Sequence, residues 1–205
     1  MHERATRVVT VADLEGFFRE ALRAALVEQR LVVVEHTERY VVSVLASFAR
    51  AERLYEATPD GPQLKPLAQM CAEAIEAGSA AERDLALRRL GDVSLFLAGF
   101  FARGFSRSLV DIDYHIAMGG RAYGTLADSL ERGPRRALAH VFAELAQKFG
   151  QLVDALGAMS DAAYVYTQRD ILRLYEIWLK TGSARARALL RRLGIEPSAV
   201  ALRAH

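Results

Sequence analysis

Cysteine is nearly absent, Cys71 being the only one in 205 residues. An intramolecular disulfide is therefore impossible, and a zinc site built from cysteines is excluded. Long apolar runs are also lacking. The longest is about ten residues, half of the roughly 20 that a helix needs to cross a bilayer. Neither charge dominates: 27 Lys and Arg against 25 Asp and Glu leave a net charge of +2, too near balance for the whole chain to attract a polyanion. The N-terminal stretch interleaves Glu3, Arg4, Arg7, Asp13, Glu15 and Arg19 with apolar positions. It has neither the apolar centre of a signal peptide nor the acid-poor composition of a transit sequence. These absences make a cytoplasmic globular protein the expectation.

What is present is helical. With 52% hydrophobic and 25% charged residues, the chain has material for one substantial core, so a single domain is expected over 1–205. The organising stretch is 79–127, which gathers phenylalanines and glycines. Ser79 and Glu82 form an S-x-x-E capping box, in which each side chain can satisfy a backbone N–H left orphaned by the first turn. A helix should begin at Ala80. Its first half is two-faced, and Asp84, Arg88 and Asp92 set opposite charges four residues apart. From Val93 to Phe101 the polar face almost vanishes. Such a helix must be enclosed by others, since Phe96, Leu97, Phe100 and Phe101 each contribute roughly 2 kcal/mol only when removed from water.

Around it the pattern predicts helices at 11–29, opened by Thr10 and Asp13, and at 37–57, closed by the turn residues Thr58, Pro59, Asp60, Gly61 and Pro62. The β-branched stretch 31–34 has no second strand to pair with and should be a tight, buried connection or a helix extension. Pro66 suits the first turn of a third helix that stops near Gly78. Ser108 or Asp111 can cap a fifth helix reaching about Leu130. Gly133 and Pro134 open a sixth, with a continuous apolar stripe from Leu138 to Leu156. Thr167 and Asp170 make a further cap before 171–181, Gly182 closes that helix, and Ser183 starts a last short one ending at Gly194. The fold expected is all-α, an irregular bundle of about eight helices around a buried central helix, with no convincing strand. The segment 174–197 has the plan of a helical-hairpin repeat. No second copy follows at the period of 34 that such repeats use, so a solenoid is not expected.

Candidate chemistry is sparse. Gly119, Gly120 and Gly124 lack the preceding strand of a dinucleotide fingerprint and read as packing surface, Gly120 and Gly124 admitting another helix and Gly119 marking a kink. Gly91 and Gly99 read the same way. Asp111 and His115 share one helix face and His140 and Glu144 another, and together they would make an acceptable first shell for Zn or Fe. The simpler reading makes Asp111 an N-cap, Asp113 a partner of the helix dipole, and the histidines ordinary surface or core residues. The ferritin-like Glu-x-x-His pairs are absent. Glu35, His36 and Glu38 read as a solvated charged face. Cys71 sits on an apolar helix side as inert packing, and there is no G-x-S-x-G turn. The hydroxyls of Tyr114, Tyr123, Tyr164, Tyr166 and Tyr175 could line a pocket, although burial with a hydrogen-bonded tip is the commoner fate.

The C-terminal part, with a short basic helix and tail at 183–205, departs most from the average. Arg185, Arg187, Arg191 and Arg192 could dock on phosphates. They read better as a solvated face whose stems lie over the core, because few aromatics interleave with them. With no catalytic constellation and no cofactor fingerprint, the sequence points to a non-catalytic, self-associating protein-interaction or scaffold protein. The alternatives are a metal-binding protein or enzyme using Asp111, His115, His140 and Glu144, and a nucleic-acid-associated regulator acting through the basic helix.

Overall fold

The computed structural model describes residues 11–49, 54, 56–58, 61–100, 109–132, 135–163, 168–181 and 184–196. Their elements are α1 (Val11–Glu28), α2 (Glu35–Phe48), β1 (Glu56–Thr58), β2 (Gly61–Gln63), α3 (Leu67–Glu76), α4 (Ala80–Phe100), α5 (Leu109–Glu131), α6 (Arg136–Gln147), α7 (Phe149–Ala163), α8 (Gln168–Thr181) and α9 (Ala184–Arg192). The protein is all-α in class, a multi-helix bundle with one small hairpin. The chain gathers into two compact units, Met1–Ala162 and Ala163–His205.

In the first unit the capping box forms as the sequence implies, with one shift. The Glu82 N–H donates to Ser79 Oγ at 3.2 Å, while the Glu82 carboxylate accepts from the N–H of Gly78, one residue before the cap, at 3.0 Å. From that start α4 runs into the core. Leu90, Val93, Leu95, Phe96, Leu97 and Ala98 are all buried, so the stretch without a polar face is enclosed on every side. Phe100 is half-buried, stacked on Phe96 with centroids 5.4 Å apart and edge-on to Phe18. Phe101 lies outside the described residues. Leu22 and Leu26 of α1, Val41 and Leu45 of α2, Met70 of α3, Leu126 of α5, Leu145 of α6 and Leu152 and Leu156 of α7 complete the same core.

The helix expected over 37–57 ends at Phe48, capped by the Ala49 N–H on the Leu45 carbonyl at 2.9 Å. Beyond it the turn residues do more than stop a helix. Thr58, Gly61 and Pro62 lie in a hairpin that pairs Glu56 with Gln63, Ala57 with Pro62 and Thr58 with Gly61, while Pro59 and Asp60 lie outside the described residues. Gly61 sits at φ 104°, where a side chain would be strained. Strands of three residues carry too little alternation to be read from sequence, which is why none was expected.

The connection at 31–34 is extended rather than helical, and only alternately buried. Leu31 and Val33 pack on the core, while Val32 and Val34 are exposed. It begins in a Schellman ending: the Leu31 N–H bonds the Leu26 carbonyl at 2.9 Å and the Arg30 N–H that of Val27 at 3.1 Å. Arg30 takes the left-handed position, φ 53°, at a cost of about 1 kcal/mol for a residue with a Cβ. The stripe expected as one sixth helix is two helices meeting at Lys148, where φ −102° and ψ 15° bend the axis. The hydrogen-bond ladder continues across the bend, Lys148 N–H to Glu144 and Leu152 N–H to Lys148, so the apolar stripe gives no sign of it.

Glycines let these helices close in, though not where the four-residue spacing suggests. A Cβ at Gly91 would stand 2.4 Å from Tyr123 Cε1, one at Gly99 2.5 Å from Leu156 Cβ, and one at Gly119 2.3 Å from Phe149 Cζ. Gly120 and Gly124 would make ordinary contacts, at 3.6 Å and 3.8 Å. Gly119 is thus a seat for a ring, and α5 passes through it unbroken.

The second unit is an α8–α9 helical hairpin with its own cluster of Trp178, Ala186 and Leu190, joined by Leu174, Tyr175 and Ile195. Its last helix also ends in a Schellman motif. Gly194 is at φ 79°, the Ile195 N–H reaches the Leu190 carbonyl at 2.8 Å, and Ile195 packs back on the cluster. The proposed caps at Thr10, Thr167 and Gly182, and the openings at Gly133 and Pro134, lie outside the described residues.

Candidate functional site

The chemical centre of the first unit is Asp92. Helical spacing from Arg88 sets it on the side of α4 that faces α2 and α5, at the point where charge along that helix gives way to apolar residues. Its side chain is 15% exposed. One oxygen, Oδ1, accepts two phenol hydrogen bonds, from Tyr40 of α2 at 2.6 Å and from Tyr123 of α5 at 2.7 Å. The Arg88 Nε donates to the Tyr40 hydroxyl at 3.0 Å and lies 3.9 Å from Asp92 Oδ2. Its guanidinium also rests over the Tyr40 ring, 5.1 Å from the centroid.

Aromatic packing fixes both tyrosines. Tyr123 is fully buried, its ring filling the space that Gly91 leaves open and meeting Phe142 and Phe149 at centroid distances of 5.6 and 5.8 Å. Tyr40 packs edge-on to Phe142 at 5.1 Å and to Tyr123 at 6.3 Å. Burial pushes the Asp92 carboxyl up to about 6, against the phenol bonds and Arg88, which favour its charged form. Burial likewise raises both tyrosines, and the neighbouring Asp92 charge adds to the rise, so they stay protonated as donors. The cluster can therefore hold or release a proton at Asp92 while joining three helices through one oxygen.

Little in the sequence marks this site. Asp92 reads as the end of a surface ion ladder, whereas Asp84, at the other end, turns to the Ser129 hydroxyl at 2.7 Å and to Arg135 at 3.5 Å. Tyr123 appears among several hydroxyls, and Tyr40 carries no signal. The one clue is position: a carboxylate beside Gly91, on the threshold of an all-apolar stretch.

The residues singled out for metal fall in different roles. Glu144 is half-buried and clamps the α1–α2 connection. It accepts the Val34 N–H at 3.1 Å and Lys148 Nζ at 2.7 Å, while Lys148 also donates to the Val32 carbonyl at 2.6 Å. Burial pushes Glu144 up, but these hydrogen bonds outweigh it and hold the carboxyl below its ordinary value. His140 is exposed on α6 and His115 is buried on α5. Asp111 belongs to the first turn of α5 rather than to its cap, because the helix already begins at Leu109, and its side chain lies outside the described residues. Asp113 is exposed on the same helix. Among the described residues no three His, Cys, Asp or Glu side chains gather as a metal site.

Of the basic residues of α9, Arg187 is exposed and Arg191 is engaged by Glu196 through Nη2 at 2.6 Å and Nε at 3.0 Å. The side chains of Arg185 and Arg192 lie outside the described residues. Glu35 and His36 face solvent as expected, and Glu38 is half-buried against Arg23 at 2.6 Å. Cys71 is half-buried at the edge of the core. Tyr114 is 43% exposed, and Tyr175 packs against Trp178. Tyr164 and Tyr166 lie outside the described residues. Among the described helices none is long and apolar enough to cross a membrane. Compared with protein-family models, with curated proteins and with solved structures, the chain matches none.

Proposed function

We propose that this chain is a non-catalytic helical interaction or scaffold protein of the cytoplasm, and that it associates with itself. The observation that carries the reading is the corner between α1 and α2. Val27, Val32 and Val34 are 79%, 81% and 53% exposed there, three stiff apolar side chains in a run of eight residues. Their backbone does not float. The Schellman ending of α1 fixes one side, and Glu144 and Lys148 of the α6–α7 bend hold the other at Val34 and Val32. A surface already ordered before contact loses little entropy on binding, and β-branched side chains with few rotamers lose less still.

The test is the solution mass of the wild type and of a Val27→Asp, Val32→Asp double variant, measured by light scattering at concentrations on the order of 10 to 100 µM, where weak to moderate complexes assemble. Wild type should run at a multiple of the 22.6 kDa chain and the variant at the single-chain mass. Both substitutions lie on exposed positions, so the variant should keep the wild-type stability within about 0.5 kcal/mol. A wild type that remains a single chain throughout this range overturns the self-association.

A further inference from the structure

We propose that the junction of α2, α4 and α5 is a proton-operated latch, in which uptake of one proton by Asp92 tightens the three helices and its release loosens them. The geometry is that of a mostly buried carboxylate at the meeting of three helices, with its two close donors gathered on one oxygen. Oδ1 takes both phenols, at 2.6 and 2.7 Å, and among the described residues Oδ2 meets Arg88 at 3.9 Å, whose own Nε is spent on Tyr40. Arg88 is itself 50% exposed, so water screens much of what it offers.

Among the described residues the groups that face Asp92 can be named element by element. From α2 comes Tyr40, from α5 Tyr123, and from α4 itself Arg88, with Arg89 a further positive charge turned towards the Leu54 carbonyl at 3.4 Å. From α6 and α7 come only the rings of Phe142 and Phe149, packed on the tyrosines. No further cation stands in this set to offset the buried charge. An ionised Asp92 must then either draw in water or part the helices that shield it.

The sign follows from linkage. The carboxyl titrates at about 6 in the folded chain against 3.8 for an unperturbed aspartate, so between these values the folded state holds the extra proton. Its contribution to stability is complete below the unfolded value, falls as pH rises through the window, and is gone above the folded value. From those two values the unfolding equilibrium constant should rise about tenfold between pH 5 and pH 7 on account of Asp92 alone.

The experiment is denaturant unfolding of the full chain at pH 4.5 to 8, comparing wild type with Asp92→Asn. The amide keeps an acceptor for the phenols but cannot titrate, so the difference between the two profiles isolates this group from the histidines and other carboxylates. The difference should carry the tenfold change between pH 5 and pH 7 and level off as the pH passes about 6. If Asp92→Asn does not fold, Tyr123→Phe decides. Removing one donor to the charged form while keeping the ring should move the midpoint, read from the Asp92 side-chain carboxyl carbon by NMR in wild type and variant, to higher pH. A wild-type carboxyl carbon that titrates near 4, or a pH profile that Asp92→Asn leaves unchanged, overturns the latch. A merely structural Asp92 would lower stability equally at every pH.

Discussion

Gly91→Ala should cost about 3 kcal/mol in denaturant unfolding, although alanine is the better helix former by about 1 kcal/mol. The new methyl would stand 2.4 to 2.9 Å from three atoms of the Tyr123 ring. That ring cannot swing aside, because it is fully buried, braced by Phe142 and Phe149, and tied by its hydroxyl to Asp92. Either α4 and α5 must part or the phenol must leave its acceptor. Gly119→Ala should behave alike, since its methyl would lie 2.3 Å from Phe149 Cζ and 2.6 Å from Ser94 Cβ. Gly120→Ala is the control on the same helix. Its nearest neighbour would be 3.6 Å away, so the propensity gain should survive as about 0.5 to 1 kcal/mol of added stability. Equal effects at Gly119 and Gly120 would show that α5 does not present Gly119 to Phe149.

Tyr123→Ala should be more costly, about 4 to 5 kcal/mol, because it empties the space between α4, α5 and the α6–α7 stripe and also removes a donor from Asp92. Tyr123→Phe separates the two losses. It keeps the ring and gives up only a hydrogen bond to a charged group, so it should cost about 2 kcal/mol near neutral pH. Phe100→Ala, at a position the sequence places deep in the core, should cost less than Tyr123→Ala, since Phe100 is only half-buried at the end of its helix. A Tyr123→Phe chain as unstable as Tyr123→Ala would put the whole effect in the hydroxyl and contradict the packing described at Gly91.

The all-α class and the enclosed α4 could be read because each rests on local chemistry: a capping box that places the start, and an apolar run with no polar face to expose. The ending at Gly194 was legible for the same reason, glycine being the residue that left-handed backbone favours. The equivalent ending at Arg30 was not, since tertiary packing there holds an ordinary residue where φ is positive. The bend at Lys148 hides within an unbroken apolar stripe. The site was less legible still. Asp92 and Tyr123 lie 31 residues apart and Asp92 and Tyr40 52, and no periodicity reports which surfaces of α2, α4 and α5 will meet. The possible metal ligands illustrate the converse: helical spacing correctly set His140 and Glu144 on one helix, but Glu144 is occupied by a backbone amide from 110 residues away.

At the centre of the first unit α4 forms a buried axis, on which α2, α3 and α5 pack. Native-state amide hydrogen exchange tests it most directly, because it assigns an opening free energy to each residue. The amides of Val93, Leu95, Phe96, Leu97 and Ala98 should exchange only through global unfolding of that unit, with free energies within about 1 kcal/mol of the value from denaturant, while α1 and the β1–β2 hairpin open at lower cost. Exchange of these α4 amides through a local opening, at a free energy well below that of α2 or α5, would contradict it.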